Sequence, residues 1–132
     1  AFLSHSTFGQ PLTSRTKHIR DAVDILKKRK VNFKFDGDMQ PDVALSNEYS
    51  DLYPFSEIVG NANILIMPGQ HSAAISNKIM KSLGGAKVIG PLLIGLAQPI
   101  EIAPLRSSTS EILDLASLAA YSAGVIKYNK NN

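Results

Sequence analysis

The chain contains no cysteine and no tryptophan. Without thiols it has neither a disulfide framework nor a thiolate metal site. Aromatic residues make up only 7% of it, and none sits within the basic run Lys27-Lys28-Arg29-Lys30. A nucleic-acid surface calls for a basic face with interleaved aromatics, so that class is set aside. Long apolar runs are missing too. The longest, Ile89 to Ala97, is broken by Gly90, Pro91 and Gly95. A bilayer span needs about 20 residues, so no membrane is expected. No basic segment followed by an apolar run opens the chain, and nothing reads as a signal peptide. An initiator Met is also lacking: the chain starts Ala1-Phe2-Leu3, inside a stretch that reads as strand. The expectation is an excised α/β segment of a larger soluble, cytoplasmic protein.

What is present fits one domain. The 132 residues are 44% hydrophobic, ordinary for a globular protein. The net charge of +3 comes largely from residues 27–30 and from the tail Lys127 to Lys130. The first cluster ends a helix, where cations complement the macrodipole.

Residues Ala1 to Ser4 read as a buried strand, and Phe8 to Thr13, with Gly9 and Pro11, as a loop. Thr13 or Ser14 then caps a helix whose Ile19, Ala22, Val23 and Leu26 share a face. Asp24 and Lys28 are expected to pair outside it. Asn32 to Phe35 reads as a short strand running into the turn Asp36-Gly37-Asp38, and Asp42 to Leu45 as a short helix. Ser46 to Gly60 reads as a surface connection, and Asn63 to Met67 as a buried strand stopped by Pro68-Gly69. A helix over Ala73 to Leu83 carries the stripe Ile75, Ile79, Leu83 and stops at Gly84-Gly85. Val88–Ile89, Leu92–Ile94 and Pro99–Ala103 read as further strand. The last helix opens on Ser108-x-x-Glu111, a capping box, and runs to about Ile126. Residues 127–132 read as a disordered tail. Alternating strands and helices predict a mostly parallel sheet covered on both faces, with ligands beyond the strand ends.

Four polar segments follow strand ends. Ser4-His5-Ser6-Thr7-Phe8-Gly9 offers hydroxyls and amides suited to phosphate, though as a capped loop it needs no ligand. Asp36, Asp38 and Asp42 form a carboxylate group that suits Mg²⁺ or acid–base work, or equally a turn bonded to its own backbone. His71, after Pro68-Gly69-Gln70, stands at a helix entrance as a base, a phosphate donor or a plain cap. Arg106 and the hydroxyls of residues 107–110 converge on the N-terminus of the last helix, the best anion site of the four. No metal site is expected.

In this order, the segments resemble the C-terminal part of phosphate acetyl/butyryltransferases. They are more similar still to the phosphotransacetylase-like domain at the C-terminus of bacterial NADP-dependent malic enzymes. The matching stretches are residues 3–9, 36–45, 53–56 (Tyr-Pro-Phe-Ser), 62–68, His71, Ile75-Ser76, Lys78, 83–86, 88–91 with Gly95-Leu96, and the last helix. The resemblance implies a three-layer α/β/α fold like that of isocitrate and isopropylmalate dehydrogenases, of which this chain is the second half, residues 1–126. It implies a cleft for CoA thioester and phosphate served by Ser4, Ser6, Thr7, Asp36, Gln40, His71, Lys78, Arg106 and Ser108. It also implies a homo-oligomer, dimeric through this segment. NADP and Mg²⁺ or Mn²⁺ would belong only to the part of the parent ahead of it.

The departures carry the functional expectation. Active transferases place Ser-Arg-Gly before the last helix and a carboxylate near its start. Aligned on the apolar stripe, Pro104, Leu105 and Arg106 fall at those three positions and Glu111 at the carboxylate. A one-residue slip would put Arg106 at the arginine but break the stripe. Leucine cannot stabilise a developing oxyanion, an effect of about 3–4 kcal/mol. Ala74 and Asn77 also replace an Asn and a Tyr usual in their helix. The reading is therefore an acetyl-CoA-binding regulatory and oligomerisation domain of a malic enzyme with no intact catalytic set. The alternative is an active acetyltransferase working through Glu111 and Arg106.

Overall fold

A computed structural model describes residues 1–85 and 87–130. The chain divides into two compact units, Ala1–Lys78 and Ile79–Asn132, with the boundary inside a helix. The first unit is built on two short parallel strands, β1 (Phe2–Leu3) and β2 (Gly37–Met39). Between them runs helix α1 (Ser14–Lys28), which packs against both strands. Thr13 caps α1 as anticipated: its hydroxyl accepts from Thr16 N–H at 3.2 Å, and the Thr16 hydroxyl accepts from Thr13 N–H at 2.8 Å. Val23 is buried from the predicted stripe, while Ile19, Ala22 and Leu26 are half-buried. Asp24 pairs with Lys27, one turn away at 4.0 Å, rather than with Lys28.

The second strand is displaced from its predicted place. Residues 32–35 form no strand, Phe33 is exposed, and the predicted turn at Asp36-Gly37-Asp38 is the ladder itself. The backbone hydrogen bonds explain the shift: Phe2 N–H donates to Asp36 O at 2.9 Å and Ser4 N–H to Met39 O at 2.9 Å. Gly37 lies at φ +152°, and a Cβ there would come within 2.6 Å of Phe2 O. Only glycine lets the two strands approach at this point.

After β2, helix α2 (Pro41–Leu45) and a 3₁₀ turn at Asn47–Tyr49 lead to Ile58 and Val59. These two residues, predicted on a surface connection, are instead core. Gly60 N–H donates to Val43 O and Ala62 N–H to Ala44 O, folding the connection back onto α2. Leu3, Met39, Val43, Ala44, Ile58 and Val59 make one buried cluster. Full burial of each larger side chain contributes about 1.5–3 kcal/mol.

The predicted strand at 63–67 appears as one parallel bridge, Phe2 to Ile66. Leu3 N–H donates to Ile66 O and Ile66 N–H to Ala1 O, both at 2.8 Å. Leu65 and Met67 turn toward the core, whereas Ile64 and Ile66 are exposed. The segment is thus covered on one face only, not buried on both as predicted. Helix α3 (Gln70–Leu83) begins earlier than predicted, and its stripe Ile75, Ile79, Leu83 is exposed rather than buried.

The second unit holds the predicted segments 88–89, 92–94 and 99–103. None forms a strand among the described residues, and Ile89, Leu92, Leu93, Ile94, Ile100 and Ile102 are exposed. Strands need a ladder partner, and none of these segments makes a backbone bond of that kind. Helix α4 (Thr109–Lys130) follows. It continues to Lys130 instead of stopping near Ile126; residues 131 and 132 of the predicted tail lie outside the described residues. Leu115 is its buried residue among those whose side chains are described. No helix among the described residues is long and apolar enough to cross a membrane. The chain is α/β, as predicted, and among the described residues its sheet is two parallel strands rather than the central layer of a three-layer stack.

Candidate ligand site at the strand ends

The carboxyl end of β1 runs directly into Ser4-His5-Ser6-Thr7, and that of β2 into Gln40. Buried Asp38 organises the loop. Its carboxylate accepts from Ser6 Oγ and, at 3.1 Å, from Gly9 N–H. Its carbonyl accepts from Phe8 N–H at 2.7 Å. Phe8 and Gly9 can therefore hold positive φ of 49° and 84°, a tight reversal closed by reciprocal Thr7–Gln10 backbone bonds. Gln40 locks the other side: its N–H donates to Thr7 Oγ1 at 3.2 Å and its Nε2 to His5 O at 2.9 Å.

These bonds sort the predicted site residues. Ser6 is fully buried and bonded to Asp38, so its hydroxyl builds the loop and offers nothing to a ligand. The hydroxyl of Thr7 is engaged by Gln40; both residues line a second cavity of about 420 Å³ walled by Phe8, Tyr53 and Phe55. Those three rings pack with centroids 4.8–6.1 Å apart. Asp36 accepts from Gly37 N–H and lines a third cavity beside Arg20 and Lys27. Asp42 accepts from the Tyr49 hydroxyl at 3.0 Å, a bond that pushes the tyrosine's pKa up and keeps its proton on. The three aspartates are thus not gathered around one ligand. Among the described residues no group of three or more His, Asp or Glu is placed to hold a metal.

Ser4 and His71 do come together. They line a cavity of about 460 Å³ with His5, Arg15, His18 and Ser72. Pro68 and Gly69 at the entrance to α3 complete one wall. No carboxylate lines the cavity. Lys78 lines none of these three cavities. Arg15 and His18 were not singled out in the sequence. Their three-residue spacing in the opening turns of the helix after the strand-end loop was the available signal.

The second unit holds the remaining predicted residues. Ser108 and Glu111 form the predicted capping box: Ser108 N–H donates to Glu111 Oε2 at 2.8 Å, and Glu111 N–H donates to Ser108 Oγ at 3.3 Å. Lys81 Nζ donates to Glu111 Oε1 at 2.6 Å. Lys81, then the Ser108 N–H and hydroxyl, hold the Glu111 carboxyl down at about 2. Lys87 and Asp114 pair at 2.6 Å nearby. The space enclosed with them is only about 20 Å³, room for a water but not a substrate. Leu105 is fully exposed and Arg106 exposed, in a turn closed by Ser107 N–H to Pro104 O.

Comparison with known proteins places this geometry. The chain is 48% identical over 124 residues to the NADP-dependent malic enzyme of Rhizobium meliloti, covering 94% of the chain and 16% of that protein. It is 32% identical over 124 residues to the phosphate acetyltransferase of Clostridium acetobutylicum, covering 93% of the chain and 37% of the enzyme. The structure of the EutD phosphotransacetylase from Staphylococcus aureus superposes with a TM-score of 0.82 at 27% identity, over 92% of the chain and 38% of that structure. The chain therefore spans only a minor part of each relative's length. The family model for phosphate acetyl/butaryl transferase matches residues 1–120, and the chain belongs to that family.

Proposed function

We propose that this segment belongs to a cytoplasmic NADP-dependent malic enzyme, one that decarboxylates malate oxidatively to pyruvate. In it the segment acts as an acetyl-CoA-binding regulatory and oligomerisation domain without transferase activity. The observation that carries this reading is the state of Glu111. Both of its oxygens are committed, to Lys81 and to Ser108, and its carboxyl is held at about 2. Such a group stays ionised at neutral pH and is a weaker base toward a thiol or phosphate than an ordinary carboxylate. Leu105, where the resemblance expects an arginine, has no charge to offer a developing oxyanion. Binding needs less than catalysis. Ser4, His71 and the basic side chains beside them suit the phosphates of a CoA thioester. Regulation then requires acetyl-CoA to bind two states of the assembly with different affinity.

The exposed apolar segments 88–102 suit completion of a larger, three-layer sheet in the intact protein and contact with a second copy. NADP and the divalent metal of the malic enzyme reaction are assigned to the rest of the parent. Calorimetry on the full-length protein tests the reading: acetyl-CoA is expected to bind and to change the malate oxidation rate. Absence of binding would leave only an assembly role.

A further inference from the structure

The cavity at the strand ends is walled by cationic and cationisable groups from three elements. His5 comes from the loop after β1, Arg15 and His18 from α1, and His71 from the first turn of α3. The hydroxyl of Ser4 adds a donor, whereas that of Ser72 is committed to Gly69 O at 2.8 Å. Ser4 is only 8% exposed; its oxygen accepts from Ser6 N–H at 3.2 Å, and its own proton reaches no acceptor among the described residues. The nearest carboxylate along α1, Asp21, is held by Lys17 at 3.0 Å and lines no part of the cavity. Every charge that faces the space is therefore positive or able to become so.

We propose that this cavity is a pH-responsive oxyanion site: Arg15 supplies a fixed charge, and the imidazoles of His5, His18 and His71 tighten its hold on a phosphate-type group as they protonate. The inference rests on the ligand reading above and adds to it the group recognised and its regulation. The sign follows from linkage. A bound dianion favours imidazolium over imidazole, so binding strengthens as pH falls through the range where imidazole ordinarily takes up its proton, near 6.5. Below that range an imidazole is charged with or without a bound anion, and the affinity levels off. Arg15 stays charged throughout and sets the affinity that remains at high pH.

The test uses the full-length protein and two probes, inorganic sulfate, whose charge is constant over the range, and acetyl-CoA. Calorimetry is run at pH 5.8 and pH 7.8. Sulfate is expected to bind at least roughly fivefold more tightly at the lower pH, about what a one-unit rise in a single imidazole gives between these two pH values. The triple substitution H5Q/H18Q/H71Q should flatten that response. Arg15→Gln should weaken binding at both pH values while keeping the response. All four side chains are exposed, so their replacement leaves the core intact. Sulfate binding that is flat with pH, or a response that survives the triple substitution, overturns the inference. If acetyl-CoA binds but neither probe responds to pH, the inference fails and the ligand reading stands. If sulfate shows the response and acetyl-CoA does not bind, the inference stands with a free oxyanion as ligand and the acetyl-CoA reading falls.

Discussion

Asp38 is the place to perturb the strand-end loop most sharply. It is fully buried, and its carboxylate takes two donors, the Ser6 hydroxyl and Gly9 N–H. Hydrogen bonds to a charged group contribute about 1.5–3 kcal/mol each, and buried donors left unpaired cost about as much again. The two losses share one network and do not simply add. Asp38→Ala should therefore destabilise the loop by about 3–5 kcal/mol. Asp38→Asn keeps one acceptor and should cost about 1–3 kcal/mol. The assay is amide hydrogen exchange on the full-length protein. With a factor of ten per 1.4 kcal/mol, exchange at Gly9 should accelerate at least about a hundredfold in Asp38→Ala. Ser6→Ala should give a smaller, partly overlapping effect. Gly9 protection unchanged in Asp38→Ala would refute the reading of Asp38 as organiser, and with it the explanation of why Ser6 is no ligand.

Thr13→Ala removes the α1 cap and should cost about 1 kcal/mol, seen as faster exchange across the first turn of that helix. Gly37→Ala puts a Cβ within 2.6 Å of Phe2 O at a positive φ and should weaken the β1–β2 ladder, read as lost protection at Phe2 and Ser4 amides. Lys81→Met should let the Glu111 carboxyl rise from about 2 toward its ordinary 4.5, followed by carbon-detected titration. Because the folded value is depressed, the stabilisation from Glu111 is complete above 4.5 and is lost as pH falls toward 2; in Lys81→Met the loss should shrink.

Local signals in the sequence were read correctly where the physics is local. Thr13 and Ser108 cap their helices because a hydroxyl three residues from its partner amide needs no tertiary help. The α/β class and the family followed from motif order across nearly the whole chain. Non-local contacts were not legible. Nothing near residue 37 announces that Phe2 will pair with it, so a glycine that permits strand approach read as a turn. Ile58 and Val59 looked like surface connection because their burial depends on return bonds to Val43 and Ala44. The apolar segments after residue 87 have strand composition, but strand formation depends on a neighbour that the described residues do not provide. At the site, strand-end position points to Ser4 and His71, while nothing local to the sequence beyond their helical spacing marks Arg15 and His18, whose approach to them is a tertiary contact.

The central claim is that this member of an acyltransferase family binds acetyl-CoA without transferring its acetyl group. One coupled assay addresses it: the full-length protein is given acetyl phosphate and CoA, and acetyl-CoA formation is followed while calorimetry on the same preparation confirms binding. The expected result is binding with no formation above the uncatalysed background, as Leu105 and the engaged Glu111 require. Acetyl-CoA produced at an ordinary enzymatic rate, abolished by Arg106→Gln, would contradict it and put Arg106 at the transferase's arginine position.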